Sequence, residues 1–227
     1  MERQQYLLLN SVYTKEAPVG FKSITEIHRF VAHPTSIVVN GDICTGSSSL
    51  TAALAKTMCM KAFDVGQLIR RATRMLSYGD QWEGLVGDWA QSIWNKTVKR
   101  INTPGYVVEG RLVGLQAKDN ATVLKILCVA NEGVVFDRYV NRRGLPVDHD
   151  VAKAVNERRE RDTRILALGW GKSRVDLLKP GLYDIVVDTS QTETQDIVEE
   201  ISEYMKMGTS RDLLNQLNRR SSTQSSV

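Results

Sequence analysis

Residues 36–49 constrain the fold of this chain more than any other stretch. They read Ser-Ile-Val-Val-Asn-Gly-Asp-Ile-Cys-Thr-Gly-Ser-Ser-Ser, in which an apolar run leads into Gly41, four further residues, Gly46 and a row of serines. A helical run rich in Ala and Leu follows over 50–58. Because a strand, a glycine-bounded loop and a helix in this order are the setting of the G-x-x-x-x-G-K-[ST] pattern, the stretch predicts a loop of the phosphate-binding type.

The loop lacks the lysine of that pattern. Gly41, Gly46 and Ser48 stand where the pattern has its two glycines and its hydroxyl, but Ser47 stands where it has lysine. In a complete loop the glycines let backbone N–H groups face phosphate oxygens, the lysine neutralises the outer phosphates and the hydroxyl holds Mg²⁺. The sequence thus predicts an anion-binding turn without its usual point charge. A plain strand-to-helix turn that binds nothing is the alternative.

A substitute cation could come from elsewhere in the chain. Lys56 and Lys61 lie a turn or more beyond the loop, and Lys172 or Arg174 would have to come in from a distant segment. Asp42 lies inside the loop and adds negative charge, which opposes anion binding unless magnesium or an arginine offsets it. The sequence does not choose among these sources of positive charge.

Strand-like and helix-like runs alternate after residue 36. The strand-like runs, rich in Val, Ile and Leu, are 37–40, 62–64, 106–109, 123–130 and 183–188. The helix-like runs are 49–60, 66–76, 85–100, 133–143, 151–168 and 194–205. Apolar strands without polar alternation are typical of a buried parallel sheet, and their alternation with helices predicts an α/β fold with five parallel strands flanked by helices. Ligands bind beyond the carboxyl ends of such strands, where the glycine loop falls.

Composition indicates an ordinary globular domain without a membrane span. Hydrophobic residues make up 42% and charged residues 25% of the 227 residues, and no apolar run approaches the length of a membrane-spanning helix. The N-terminus does not read as a secretory signal. Cys44, Cys59 and Cys128 lack metal-binding spacing, which favours reduced thiols in an intracellular, reducing compartment. The sequence does not distinguish the cytoplasm from an organelle matrix.

The two ends of the chain fall outside the alternating pattern. We expect an N-terminal extension over 1–35, one α/β domain over 36–206 and a Ser-rich C-terminal tail over 207–227. The two extensions predict contacts with other subunits of a protein assembly. The net charge of +4 is mild and gives only weak support for an RNA partner.

Six segments, in the right order, resemble the cytidylate kinase family of P-loop nucleoside monophosphate kinases over residues 36–206. They are Gly-Asp-Ile-Cys-Thr-Gly-Ser-Ser-Ser from Gly41, Val-Gly-Gln-Leu-Ile-Arg over 65–70, Val-Val-Glu-Gly-Arg-Leu over 107–112, the run 137–144, the arginine-rich run 158–164, and Tyr-Asp-Ile-Val-Val-Asp-Thr-Ser over 183–190. The resemblance implies a P-loop NTPase-type fold with a nucleoside-monophosphate-binding insert around 64–100 and a lid around 142–180.

The resemblance also implies a site for ATP, Mg²⁺ and an acceptor nucleotide. Contacts to the donor nucleotide would come from Gly41, Gly46, Ser47 and Ser48, of which Ser48 would hold Mg²⁺. Contacts to the acceptor would come from Gln67, Arg70 and Arg111, and the lid residues Arg161 and Arg164 would neutralise the transferring phosphate. Arginines suit that last role because phosphoryl transfer depends largely on positioning and charge stabilisation.

The chain departs from the family at three places. Ser47 replaces the lysine, Gln67 replaces an aspartate that reads the acceptor, and Ile165 replaces a tyrosine after the lid arginines. The arginines over 158–164 and 70–74 are equally compatible with solvated helix faces. We therefore favour a catalytically degenerate kinase-fold protein, a pseudokinase, that acts as a structural or binding subunit of a larger assembly. An active kinase that moves phosphate from ATP to CMP or dCMP is the alternative, and an RNA-associated module is the second alternative.

Overall fold

The computed structural model describes residues 21–31, 33–75, 88–144 and 150–207. Its strands are β1 Ile24–Ile27, β2 Ser36–Gly41, β3 Lys61–Asp64, β4 Tyr106–Glu109, β5 Val123–Val129 and β6 Ile185–Asp188. Its helices are α1 Ser47–Thr57, α2 Val65–Met75, α3 Asp88–Ile101, α4 Val113–Gln116, α5 Glu132–Arg143, α6 Val151–Trp170, α7 Arg174–Leu177 and α8 over 194–207. The ends of two expected helices, at residues 76 and 85–87, lie outside the described residues.

The strands form one sheet in the order β1-β6-β5-β2-β4-β3. β2 lies at its centre and pairs in parallel with β4 and β5, while β3 and β6 add parallel strands outside them. The predicted α/β fold with five parallel strands flanked by helices is thereby confirmed. The carboxyl end of β2 lies between those of β4 and β5, so the glycine loop leaves the sheet at its middle.

A sixth strand, β1, pairs antiparallel with β6 at the edge of the sheet. It comes from Ile24–Ile27, within the stretch over 1–35 that we expected to lie outside the sheet. The sequence hides this strand because it is only four residues long and includes the polar residues Thr25 and Glu26. Its burial alternates, as expected of an edge strand with one face turned towards the core. The sheet is therefore one strand larger than expected.

Apolar side chains cover both faces of the central sheet. All six residues of β2 are buried, and their side chains alternate between the two faces. Ile37 and Val39 join the larger cluster, in which helices α1 and α8 contribute Leu54 and Ile201. Val38 faces a second cluster, whose other buried members are Ile101, Val108, Val113, Ala117 and Val123. Burial on both faces is the reason that the central strands, such as β2, read as continuous apolar runs.

The segment that contains β1 is fastened to helix α8 by one carboxylate. Glu200 accepts hydrogen bonds from the backbone N–H groups of Lys22, Ser23 and Ile24, at 2.9, 2.9 and 3.2 Å. It also accepts one from the Ser23 hydroxyl at 2.6 Å. Burial opposes ionisation of Glu200, but the hydrogen bonds outweigh it and lower the pKa of this carboxyl.

Among the described helices, none is both long and apolar enough to span a membrane.

Candidate functional site

The chain turns sharply between β2 and α1, and glycines stand at both ends of the turn. Gly46 adopts the left-handed conformation with a φ of 83°, which favours glycine. At Gly41 the φ is not the constraint: a Cβ atom there would lie 2.2 Å from the Thr45 hydroxyl oxygen, which donates a 3.0 Å hydrogen bond to the Asp42 carbonyl. Both positions of the predicted phosphate loop therefore require glycine, Gly46 for its backbone conformation and Gly41 for lack of space.

Ser47, at the position of the missing lysine, is the first residue of α1. It is 7% exposed, and its hydroxyl donates a 3.0 Å hydrogen bond to Glu109 at the end of β4. The next residue, Ser48, is exposed at the start of the helix. The loop thus has a short buried hydroxyl, engaged with a carboxyl group, where the pattern has a long cationic side chain.

Glu109 stands beside a second carboxyl group. Asp64 and Glu109 are register partners at the carboxyl ends of the adjacent strands β3 and β4. Burial, and after it the charge of Asp64, raises the pKa of Glu109 to about 7, although the hydrogen bond from Ser47 opposes the change. Glu109 consequently holds its proton to a higher pH than an ordinary glutamate does.

Three guanidinium groups converge on the carboxylate of Asp42. Its Oδ1 accepts a hydrogen bond from Arg111 Nη1 at 2.8 Å. Its Oδ2 accepts two more, from Arg159 Nε at 3.1 Å and from Arg174 Nη2 at 2.5 Å. Burial tends to raise the pKa of Asp42, but the three arginines hold it well below its usual range. Asp42 is therefore a fully ionised, buried anion inside the loop.

These arginines belong to three separate elements and also have other acidic partners. Arg111 follows β4, Arg159 lies on α6, and Arg174 begins α7. Arg111 Nη2 donates to Asp162 at 2.8 Å, and Arg159 Nη1 donates to Glu132 at 2.6 Å. We call Asp42 with Arg111, Arg159 and Arg174 the Asp42 cluster. It ties α6 and α7 to the loop.

A fourth arginine holds the outer side of the loop. Arg138, on α5, donates to the hydroxyl and carbonyl oxygens of Thr189 at 2.9 and 2.6 Å, and to the Cys44 carbonyl at 3.3 Å. The Thr189 hydroxyl in turn donates to the Thr45 carbonyl at 2.8 Å. The loop is thus fixed on both sides, by Arg138 with Thr189 on one and by the Asp42 cluster on the other.

The remaining predicted site residues lie at different distances from the loop. Gln67 donates its backbone N–H to Asp64 at 2.7 Å at the start of α2. Arg70 lies on the same helix, and its side chain is outside the described part of the structure. Arg161 is partly exposed and Arg164 is exposed on α6, and neither forms a hydrogen bond or ion pair with a described residue of the loop.

Sequence reasoning thus found Arg111 and considered Arg174, but it did not single out Arg159, Asp64 or Glu109. Arg159 stood among several arginines of the run 158–164, and helical periodicity alone does not show which of them faces the loop. Asp64 and Glu109 carried one usable signal. Each ends a predicted strand, and parallel strands bring such ends to the same edge of a sheet.

The residues around the loop do not fit a magnesium-bound triphosphate in this arrangement. The glycine turn suits a phosphate, since Gly41 and Gly46 leave the space that a Cβ atom would fill. The charges do not suit it, because Ser47 carries none and the Asp42 carboxylate already engages the nearby arginines. Within the described ranges, no group of three or more His, Cys, Asp or Glu side chains is placed to hold a metal ion.

Solved structures with a similar fold include an uncharacterized protein from Eubacterium ventriosum, with a TM-score of 0.56 and 17% identity over 75% of this chain and 98% of that one. A shikimate kinase from Acinetobacter baumannii in complex with shikimate has a TM-score of 0.52 and 13% identity over 77% and 93% of the two chains. A shikimate kinase from Bacteroides thetaiotaomicron gives 0.51 and 13% over 76% and 98%.

No protein-family model matches this chain, and no curated protein matches its sequence. At the identities of the structural neighbours the likeness is one of fold alone. The chain therefore has the α/β fold of small P-loop kinases such as shikimate kinase, with a mixed sheet of six strands flanked by helices.

Proposed function

We propose that this chain is a kinase-fold protein that has lost most or all phosphoryl transfer and serves as a binding or structural subunit of a larger assembly. The observation that carries the proposal is Ser47. It takes the position of the lysine, is buried, and directs its hydroxyl to Glu109 at 3.0 Å. A phosphate in the loop would meet no ammonium group there.

The charges around the loop support the same conclusion. Phosphoryl transfer depends on positioned positive charge, and removal of one stabilising contact typically lowers the rate about 10²–10³-fold. Ser47 removes one such contact, and Asp42 adds a carboxylate that accepts hydrogen bonds from Arg111, Arg159 and Arg174. The arginines would first have to leave Asp42 before they could stabilise a transferring phosphate.

An active nucleoside monophosphate kinase, which would move phosphate from ATP·Mg²⁺ to CMP or dCMP, is the second candidate. The same cluster favours it in a different way, because Arg111, Arg159 and Arg174 all reach the loop. A guanidinium can grip phosphate oxygens through two N–H groups and could thus replace the lysine. Arg174 is the strongest replacement, since its Nη2 lies 2.5 Å from the Asp42 carboxylate.

The two candidates separate in one experiment. The purified chain is titrated with ATP·Mg²⁺ and CMP by calorimetry while ADP production is followed in parallel. We expect no ADP release above the uncatalysed background. Magnesium-dependent ADP release that disappears in Arg174→Ala, but persists in the exposed control Lys118→Ala, would overturn the proposal and establish the second candidate.

The proposed assembly contacts lie in the two extensions, residues 1–35 and 207–227. Residues 22–24 are hydrogen-bonded to Glu200 and thus belong to the folded domain. A deletion that ends at residue 20 therefore tests partner binding without removal of β1. We expect the full chain to migrate in a larger native complex than a chain of residues 21–207, and equal sizes of the two would count against an assembly role of these ends.

A further inference from the structure

We infer that Arg111, Arg159 and Arg174 form an oxyanion site whose present occupant is the Asp42 carboxylate of the chain itself. Removal of that carboxylate opens the site to inorganic phosphate or pyrophosphate. The inference rests on the interpretation of the loop under Proposed function, but it does not depend on whether the chain transfers phosphate. The presence of the Asp42 carboxylate among the arginines explains why the residues around the loop do not fit a nucleoside triphosphate.

The geometry resembles the binding of a ligand rather than the neutralisation of an acid. A single arginine is sufficient to pair with a carboxylate, whereas Asp42 accepts hydrogen bonds from three, through both of its oxygens, at 2.5 to 3.1 Å. Several guanidinium groups around one multiply charged oxyanion are the arrangement that proteins use for phosphate. A phosphate group offers more oxygens and more charge than the carboxylate, so three arginines match it better.

The charge balance points the same way. Within the described residues, the carboxylates that pair with the three guanidinium groups include those of Asp42, Asp162 and Glu132. The side chains of Asp162 and Glu132 are 21% and 48% exposed, so water solvates them in part, whereas the side chain of Asp42 is only 8% exposed. Loss of the Asp42 charge makes the loop more positive by one charge.

Burial makes that change costly unless an anion from solution restores the charge. The Arg159 and Arg174 side chains are only 7% and 16% exposed, and the loss of an acidic partner from a partly buried cation is unfavourable. The φ of Asp42 is not in the left-handed region, so alanine fits the backbone there. Asp42→Ala removes the carboxylate from between the three guanidinium groups, and the oxygens of an entering phosphate can take its place as their hydrogen-bond acceptors.

In the unchanged chain the carboxylate has an advantage over any dissolved anion. Asp42 is held at the site covalently, and an intramolecular group competes at a high effective concentration. Dissolved phosphates are therefore excluded while the carboxylate is present. The contacts of Asp42 also hold Arg159 of α6 and Arg174 of α7 on the loop without any ligand.

The test is binding of pyrophosphate to the full chain and to two variants of Asp42. Thermal unfolding is measured against sodium pyrophosphate, with ionic strength held constant by sodium chloride. We expect Asp42→Ala to bind pyrophosphate at least tenfold more tightly than the unchanged chain and to regain melting temperature as the anion saturates. Asp42→Asn removes the charge but fills the space, so its affinity should lie between the two.

Two controls keep the result interpretable. Arg174→Ala added to Asp42→Ala should abolish the gain in affinity, since it removes one of the three donors. If Asp42→Ala does not fold, Asp42→Asn carries the comparison. A folded variant that binds pyrophosphate no more tightly than the unchanged chain would overturn the inference and leave the proposed function standing. ADP release by the unchanged chain would overturn the proposed function and leave the inference standing.

Discussion

Two carboxylates, Glu200 on α8 and Asp42 in the loop, each accept hydrogen bonds from several donors, but the donors differ in their chemistry. Glu200 accepts from three successive backbone N–H groups and one hydroxyl, all of them neutral. The carboxylate of Asp42 accepts from guanidinium groups alone among the described residues, and these come from three elements between residues 111 and 174. Neutral donors on neighbouring residues fasten a strand, whereas converging cations create a site that requires an anion.

A third carboxylate, Asp184, is also paired with cations, and it provides the comparison for Asp42. It is 3% exposed and accepts hydrogen bonds from Arg29 Nε at 2.7 Å and from the backbone N–H of Lys125 at 2.8 Å. The Lys125 ammonium lies 3.5 Å from it. Asp184 thus pairs with charged groups in the core beside β1. We therefore expect the loop, and not the surroundings of Asp184, to respond to a dissolved oxyanion.

The largest effect is expected from Asp184→Ala. The change strands the buried Lys125 ammonium and leaves the guanidinium of Arg29 without its carboxylate, so we expect a loss of about 3–5 kcal/mol in the free energy of unfolding. Urea unfolding measures it. Pyrophosphate should restore none of the lost stability, in contrast to Asp42→Ala. Restoration in both variants would mean that any pair of stranded cations binds the anion, which removes the distinction between the regions.

The next effect is the dependence of stability on pH at the loop. The pKa of Glu109 is raised from 4.5 to about 7, so the native state holds a proton that the unfolded chain releases between these values. The contribution of Glu109 to stability is therefore complete below pH 4.5 and falls as pH rises towards about 7, by at most about 3 kcal/mol. Unfolding of the unchanged chain and of Glu109→Gln is compared at pH 5 and pH 8.

Glu109→Gln keeps the size of the side chain and removes its titration. The unchanged chain should lose more stability between pH 5 and pH 8 than this variant does. Equal losses would show that the pair of Asp64 and Glu109 does not hold a proton. Glu200 serves as the opposite case, since hydrogen bonds lower its pKa and its contribution is lost as pH falls instead.

A smaller effect is expected from Glu200→Ala. The change leaves the backbone N–H groups of residues 22–24 without their acceptor and should cost about 1–3 kcal/mol. Hydrogen exchange should accelerate over Ile24–Ile27 and remain unchanged around the loop. Glu199→Ala, at an exposed position on the same helix, is the matched control. Faster exchange at the loop as well would mean that the two regions are not independent.

The smallest effect is expected from Ser47→Lys. A lysine there would meet Glu109 and, beside it, Asp64, so its ammonium should pair with a carboxylate rather than with a phosphate. We expect ADP production from ATP·Mg²⁺ and CMP by this variant to stay within about tenfold of the uncatalysed background, which is under 1.4 kcal/mol in transition-state free energy. Ser49→Lys, at an exposed position, is the control. Brisk turnover by Ser47→Lys alone would show that the missing lysine is the only defect.

Local pattern was sufficient for most of the fold. The five parallel strands and the longer helices could be predicted, because most of these strands are buried on both faces and therefore show a continuous apolar run in the sequence, whereas the short helices α4 and α7 were not predicted. The role of the loop glycines could also be predicted, because the steric requirements at Gly41 and Gly46 arise within the loop itself, from residues close together in the sequence. β1 could not, because four half-polar residues become a strand only when β6 is beside them.

The candidate site depended on contacts that no segment displays alone. The sequence determined that the loop lacks a lysine and that arginines are present. Only the tertiary structure decided that Arg174 reaches Asp42 across 132 residues of sequence and that Arg159 does so across 117. The physical reason is that a hydrogen bond acts over about 3 Å, so its partners are fixed by how the elements pack around the sheet and not by the spacing of residues along the chain.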